Sequence, residues 1–165
     1  VDEQNNSSPE HVLKQLNDYK SQYELEADDE LWLVVDKDRW TEAMLSRVAT
    51  ECSQEVAMHM ALSNPCFELW LLLHIEDVAL LTPEEQKQWM ENRKKSKNAE
   101  PYLKARLRQK IGSYHESSYD AQALMVHVEN AIERARTLDK NPNDRWPQTL
   151  GTRVYLLAKS VMNRK

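Results

Sequence analysis

Two aspartates, Asp36 and Asp38, stand one residue apart at the end of LWLVVDKDRW, residues 31–40. Carboxylates at i and i+2 of an extended chain point the same way, which predicts that the two converge. At about 5–6 Å, two such charges in a half-buried site repel by a few kcal/mol at an effective dielectric of about 20. A raised pKa, a neighbouring cationic side chain or a bound metal ion relieves that repulsion. Oxygen-only ligands suit Mg²⁺ or Mn²⁺, which keep several waters and accept phosphate oxygens. The plainer alternative is that both acids cap the turn and helix that follow.

A third acid, Glu68, lies in SNPCFELWLLLH, residues 63–74. Asn64 is placed to cap a helix here, with Pro65 at its first position. Cys66, Phe67 and residues 69–73 cover every face of that helix, and a helix apolar all round is buried. A buried Glu68 needs a partner. The helix N-terminus, an arginine, backbone amides and a metal shared with Asp36 and Asp38 are the options. His74 is either a general base or phosphate ligand, or a cap on the helix C-terminus. Apolar neighbours predict an inert Cys66 thiol.

The elements that position these acids follow from periodicity. Residues 31–35 predict a buried strand, apolar on both faces, and residues 56–62 a second strand. Between them Thr41 caps a helix running to about Cys52, with Ala43, Met44, Leu45 and Val48 inward. Strand, helix, strand with short connections is a βαβ unit with parallel strands. Both acidic stretches then lie at the C-terminal edge of the strands, where open α/β sheets bind ligands. Upstream, Ser8 and Pro9 open a helix carrying Val12, Leu13, Leu16, Tyr19 and Tyr23. Downstream, helices are expected over 64–74, 83–96, 101–111, 118–138 and 148–163. The fold class is α/β: a small parallel sheet in residues 1–76, then a helical region in 77–165.

Composition sets outer bounds. A chain of 165 residues, 41% hydrophobic and 30% charged, suits a single domain with its own core. Two glycines leave no glycine-rich phosphate loop. The net charge of −5 requires any nucleic-acid contact to be local. Two basic clusters exist: Arg93, Lys94, Lys95 and Lys97, then Lys104, Arg106, Arg108 and Lys110. Either taken alone reads as a solvated helix face. Cys52 and Cys66 make no disulfide framework or metal spacing, which fits a reduced, cytoplasmic setting. No apolar stretch is long enough to span a membrane, and VDEQNNSSPEH has no signal core.

LWLVVDKDRW followed by ALSNPCFELWLLLH (residues 61–74) closely resembles the RloB-like family of bacterial defence-associated proteins. GSYHESSYD, AIERARTLD and WPQTLGTRVYLLAKSV are also similar to that family, so the likeness covers nearly the whole chain. The resemblance implies a divergent, Toprim-type fold related to the nuclease domains of overcoming-lysogenization-defect proteins. It further implies Mg²⁺- or Mn²⁺-dependent phosphoryl transfer on nucleic acids, and an ATPase partner of RloA type encoded nearby. Asp36 and Asp38 match the family's DxD as catalytic and metal-binding residues. Glu68 lies in the family's own signature and is inferred to join them as a third ligand. Lys104, Arg106 and Arg108 are the candidates for steering the nucleic acid.

The family normally begins with a strand ending in a Glu-Gly turn. No Glu-Gly occurs in this chain, so that strand and its metal-site glutamate are expected to be missing. Glu116 stands where a lysine after Tyr114 is expected. The expected function is a Mg²⁺-dependent nuclease-type protein of antiphage defence. The alternative is a non-catalytic interaction subunit that joins its ATPase partner or forms a homodimer through an open sheet edge.

Overall fold

The computed structural model describes residues 8–112, 114, 115 and 118–163. Helix α1 spans Pro9–Gln22. The Ser8 hydroxyl accepts from the His11 amide at 3.3 Å, and Pro9 sits where its missing N–H costs nothing. Pro9 and Leu13 face the core. Tyr19 and Tyr23 stay exposed, their rings stacked at 4.5 Å, so the inward stripe is shorter than periodicity predicts.

Strand β1 (Leu31–Asp36), helix α2 (Glu42–Ser53) and strand β2 (Met58–Asn64) form the expected βαβ unit. The strands are parallel, with Leu31 opposite Met58 and Asp36 opposite Ser63. Thr41 caps α2 by accepting from the Met44 amide. Leu45, Val48 and Cys52 turn inward at helical spacing, while Ala43 faces solvent on the outer side of the first turn. Two further expectations change. Val56 is 98% exposed because it lies in the turn before β2, not in the strand. Val34 is 41% exposed because it points to the face of β1 opposite the buried Leu33 and Val35, so the strand is apolar on both faces but fully covered on only one.

A two-residue strand, β3 (Gly151–Thr152), pairs antiparallel with the end of β2, Ser63 lying opposite Thr152. The helix expected from residue 148 therefore begins later, as α8 (Val154–Asn163). Gly151 fits a tight approach here: a Cβ on it would sit 3.0 Å from the Pro147 Cβ, so a larger residue would force Pro147 to shift. Helix α3 (Glu68–Leu73) is also shorter than expected. Asn64 does not cap it. Asn64 ends β2, its Nδ2 donates to the Pro147 carbonyl at 3.0 Å, and the Asn64–Pro65 peptide is cis.

Four further α-helices lie among the described residues, preceded by a short 3-10 turn at Val78–Leu80. In α4 (Pro83–Glu91), Thr82 and Glu85 make a reciprocal capping box, and the helix stops at Asn92 in the left-handed region, φ 45°. Helix α5 (Tyr102–Ile111) stops at Gly112, φ 79°. The long helix expected over 118–138 is two, α6 (Ala121–Met125) and α7 (Val128–Leu138). No helix among the described residues is long and apolar enough to cross a membrane.

Two apolar clusters hold these layers together. In the smaller one, Leu13 of α1, Leu33 and Val35 of β1 and Leu45 of α2 meet Trp146. The larger one surrounds α3, whose Leu69, Leu72 and Leu73 contact Trp89, Leu103, Leu107 and Ala131. A buried ion pair fastens the segment before β3. Arg153 Nε donates to Asp139 Oδ2 at 3.0 Å, its other nitrogens reach the Asn141 and Asp144 carbonyls, and the Tyr155 hydroxyl donates to the same Asp139 oxygen.

No described strand pairs with the outer edge of β1. An apolar groove of about 620 Å³ borders that strand, lined by Pro9 and Val12 of α1, Val34 of β1, and Leu157, Val161 and Met162 of α8.

Candidate functional site

The parallel ladder continues past the end of β1 and sets the site. The Lys37 amide donates to the Ser63 carbonyl at 2.9 Å, and the Asp38 amide to the Pro65 carbonyl at 3.1 Å. The Phe67 amide donates to Asp36 Oδ1 at 2.8 Å. Three hydrogen bonds thus bind the turn after β1 to the segment entering α3. Asp38 reaches the site from that turn rather than along the strand, because β1 ends at Asp36.

Asp36, Asp38 and Glu68 line one cavity of about 290 Å³, together with Arg39, Cys66, Asn92 and Lys94. Glu68 is buried at the first residue of α3, and the Tyr114 hydroxyl donates to its Oε1 at 3.5 Å. The Asp36 carboxyl is pushed up to about 7, first by burial, then by the charges of Glu68 and Asp38. Burial also raises Asp38. The Cys66 thiol is raised by burial and by the neighbouring Glu68, so it stays protonated and inert.

Oxygen-only donors among crowded, incompletely neutralised carboxylates fit the chemistry of Mg²⁺ or Mn²⁺. Their arrangement is looser than a finished ligand shell. Among the described residues no three Asp, Glu, His or Cys side chains are grouped to hold one ion. One oxygen of Asp36 is already taken by the Phe67 amide, and Asp38 Oδ2 accepts from Asn92 Nδ2 at 3.3 Å.

Asn92 and Arg39 are the residues that motif reading does not find. The Leu103 amide donates to Asn92 Oδ1 at 2.9 Å, which fixes the amide orientation and turns Nδ2 toward Asp38 and the Cys66 sulfur. An asparagine just past a helix is a sequence signal for a left-handed C-cap. Nothing local says that its side chain faces an aspartate 54 positions earlier.

Arg106 and Arg108 of α5 sit in ion pairs. Arg106 Nε contacts both Glu76 carboxylate oxygens, at 3.0 and 3.1 Å, and its guanidinium lies 5.3 Å from the Trp89 ring centroid. Arg108 pairs with Glu100 at 2.9 Å and donates to the Tyr114 carbonyl. Lys104 lies one turn earlier on the same helix. His74 is buried outside the acid cavity. Its Nδ1 donates to the Trp70 carbonyl at 3.0 Å, and burial lowers its pKa, so the ring is a neutral core group. Glu116 lies outside the described residues.

The sheet, its parallel βαβ unit and the helical C-terminal part define a mixed α/β protein, consistent with a partial Toprim-like fold. The chain belongs to the RloB-like protein family, whose model matches residues 1–161. No curated protein and no solved structure matches it.

Proposed function

We propose that this chain is a Mg²⁺-dependent, nuclease-type protein of bacterial antiphage defence, acting on nucleic-acid phosphodiesters. The observation that carries the reading is the gathering of Asp36, Asp38 and Glu68 around one cavity, with the Asp36 carboxyl pushed up to about 7. A structural cap does not need three acids crowded together. A divalent cation held by one or two of them would relieve their mutual repulsion.

Asp36 and Asp38 would hold the ion, with Glu68 as a further ligand or as the group that orients them. When bound, Mg²⁺ or Mn²⁺ polarises a phosphate oxygen and lowers the pKa of a coordinated water. The Phe67 amide keeps one Asp36 oxygen occupied and the other oriented, and Asn92 holds Asp38 in the same way. Lys104, Arg106 and Arg108 would add positive potential beyond the cavity. The test is cleavage of single- and double-stranded DNA and RNA with Mg²⁺ or Mn²⁺, for the wild type and Asp36→Asn/Asp38→Asn. Equal activity of the two proteins overturns the reading.

A second reading, a non-catalytic subunit that engages a defence-associated ATPase or a second copy of itself, is favoured by the unpaired edge of β1 and its apolar groove. Val34→Lys places a charge in that groove. Unchanged association of the variant, with itself and with the ATPase, removes this reading.

A further inference from the structure

We infer that the loop between α4 and α5 is the surface on which a nucleic-acid backbone lies, with Lys94 delivering a phosphate to the acid cavity. Residues 92–97 read NRKKSK, and the structure places Arg93, Lys94, Lys95 and Lys97 in an exposed loop rather than on the helix face that periodicity suggests. Arg93 pairs with Glu91 at 3.5 Å. Among the described residues no carboxylate lies within ion-pair distance of Lys94, Lys95 or Lys97. Exposed lysines in water contribute little to the fold, so this concentration of unneutralised charge in a chain of net charge −5 is a local positive surface suited to phosphates.

Its position makes it specific to the site. Asn92, the residue from which the loop departs, is bonded to Asp38, Cys66 and the Leu103 amide, so the loop's root is pinned to the acid cavity. Lys94 lines that cavity together with the carboxylates, and Arg39 lines it from the turn after β1. A phosphodiester anion entering among three acids is repelled. Cations at the rim offset that repulsion, and Arg39 already acts on Asp36 and Asp38 in this sense. The α5 arginines are already bound to Glu76 and Glu100, so they contribute less to this contact.

The inference rests on the acid cavity being a phosphodiester site, but binding is measured without turnover. Fluorescence anisotropy of labelled single-stranded and duplex oligonucleotides would be followed in EDTA across a range of salt, using the full chain. Three proteins are compared: wild type, Lys94→Gln/Lys95→Gln/Lys97→Gln, and Lys14→Gln/Lys20→Gln/Arg47→Gln, which removes equal charge from the α1–α2 face. The loop variant should bind at least about tenfold more weakly at low salt, with a salt slope reduced by about 2 on single strands and about 3 on duplex, as expected for three lost phosphate contacts. Equal weakening by both variants, no weakening by the loop variant, or no binding by the wild type overturns the inference. Selective weakening in a protein that cleaves nothing with Mg²⁺ upholds the loop and removes only the nuclease reading.

Discussion

The Phe67 amide donates to Asp36 Oδ1 at 2.8 Å, fastening the entrance of α3 to the carboxylate at the tip of β1. This bond joins the two sequence segments that carry the acids. It also stabilises a charged Asp36, yet burial and the neighbouring acids outweigh it and leave the carboxyl at about 7.

The first prediction concerns pH. Folded Asp36 titrates near 7 against an ordinary value of 3.8, so between these the native state binds more protons than the unfolded chain. Its stabilising contribution is complete below about pH 4 and is lost as pH rises through 7. His74, with a lowered pKa, has the opposite sign, destabilising as pH falls through its ordinary 6.5. The comparison is therefore wild type against Asp36→Asn in urea melts at pH 5 and 8. The variant should lose the Asp36 slope and be more stable at pH 8 by a few kcal/mol, at about 1.4 kcal/mol per pKa unit.

The second concerns metal. Mg²⁺ or Mn²⁺ at 100 times its Kd should stabilise the fold by about 2.7 kcal/mol and raise Tm. The rise should be larger at pH 8 than at pH 5, because a protonated Asp36 competes with the ion. Asp36→Asn/Asp38→Asn should melt at one temperature whatever the metal concentration.

The third concerns Asn92. Asn92→Ala puts an ordinary side chain at φ 45° and leaves the buried Leu103 amide without its acceptor, which should cost about 2–3 kcal/mol in chemical denaturation. Asn92→Gly keeps the left-handed backbone at ease and should cost less. Asn92→Asp retains an acceptor for Leu103 but sets a like charge against Asp38, so its loss of stability should shrink when Mg²⁺ is added.

The fourth concerns the buried pair Arg153–Asp139. Removing one partner strands the other charge in the interior, so Arg153→Met should lose about 3–5 kcal/mol. Arg153→Lys should recover only part, since one ammonium cannot serve Asp139 and the Asn141 and Asp144 carbonyls together.

What the sequence by itself determined is local. Ser8–Pro9 and Thr41 announce two helix starts through caps that each need only a few neighbouring residues. Short connections around a helix force β1 and β2 to be parallel, and that alone brings the Asp36 and Glu68 segments to one edge. Tertiary structure decided the rest. β3 has two residues, too few to show a period, and exists because Asn64 and the tight approach of Gly151 to Pro147 draw the chain back. The start of α3 moved to Glu68 because Asn64 was needed by the sheet and by the Pro147 carbonyl, leaving no cap at 64. Asn92 meets Asp38 only because α4 packs on α5 and α5 on α3, the helix that follows the βαβ unit, and the raised Asp36 pKa exists only once burial removes water from three neighbouring acids. Caps and periodicity act over a few residues and can be read along the chain; desolvation and long-range hydrogen bonds depend on which distant segments share a cavity, and only the packed fold fixes that.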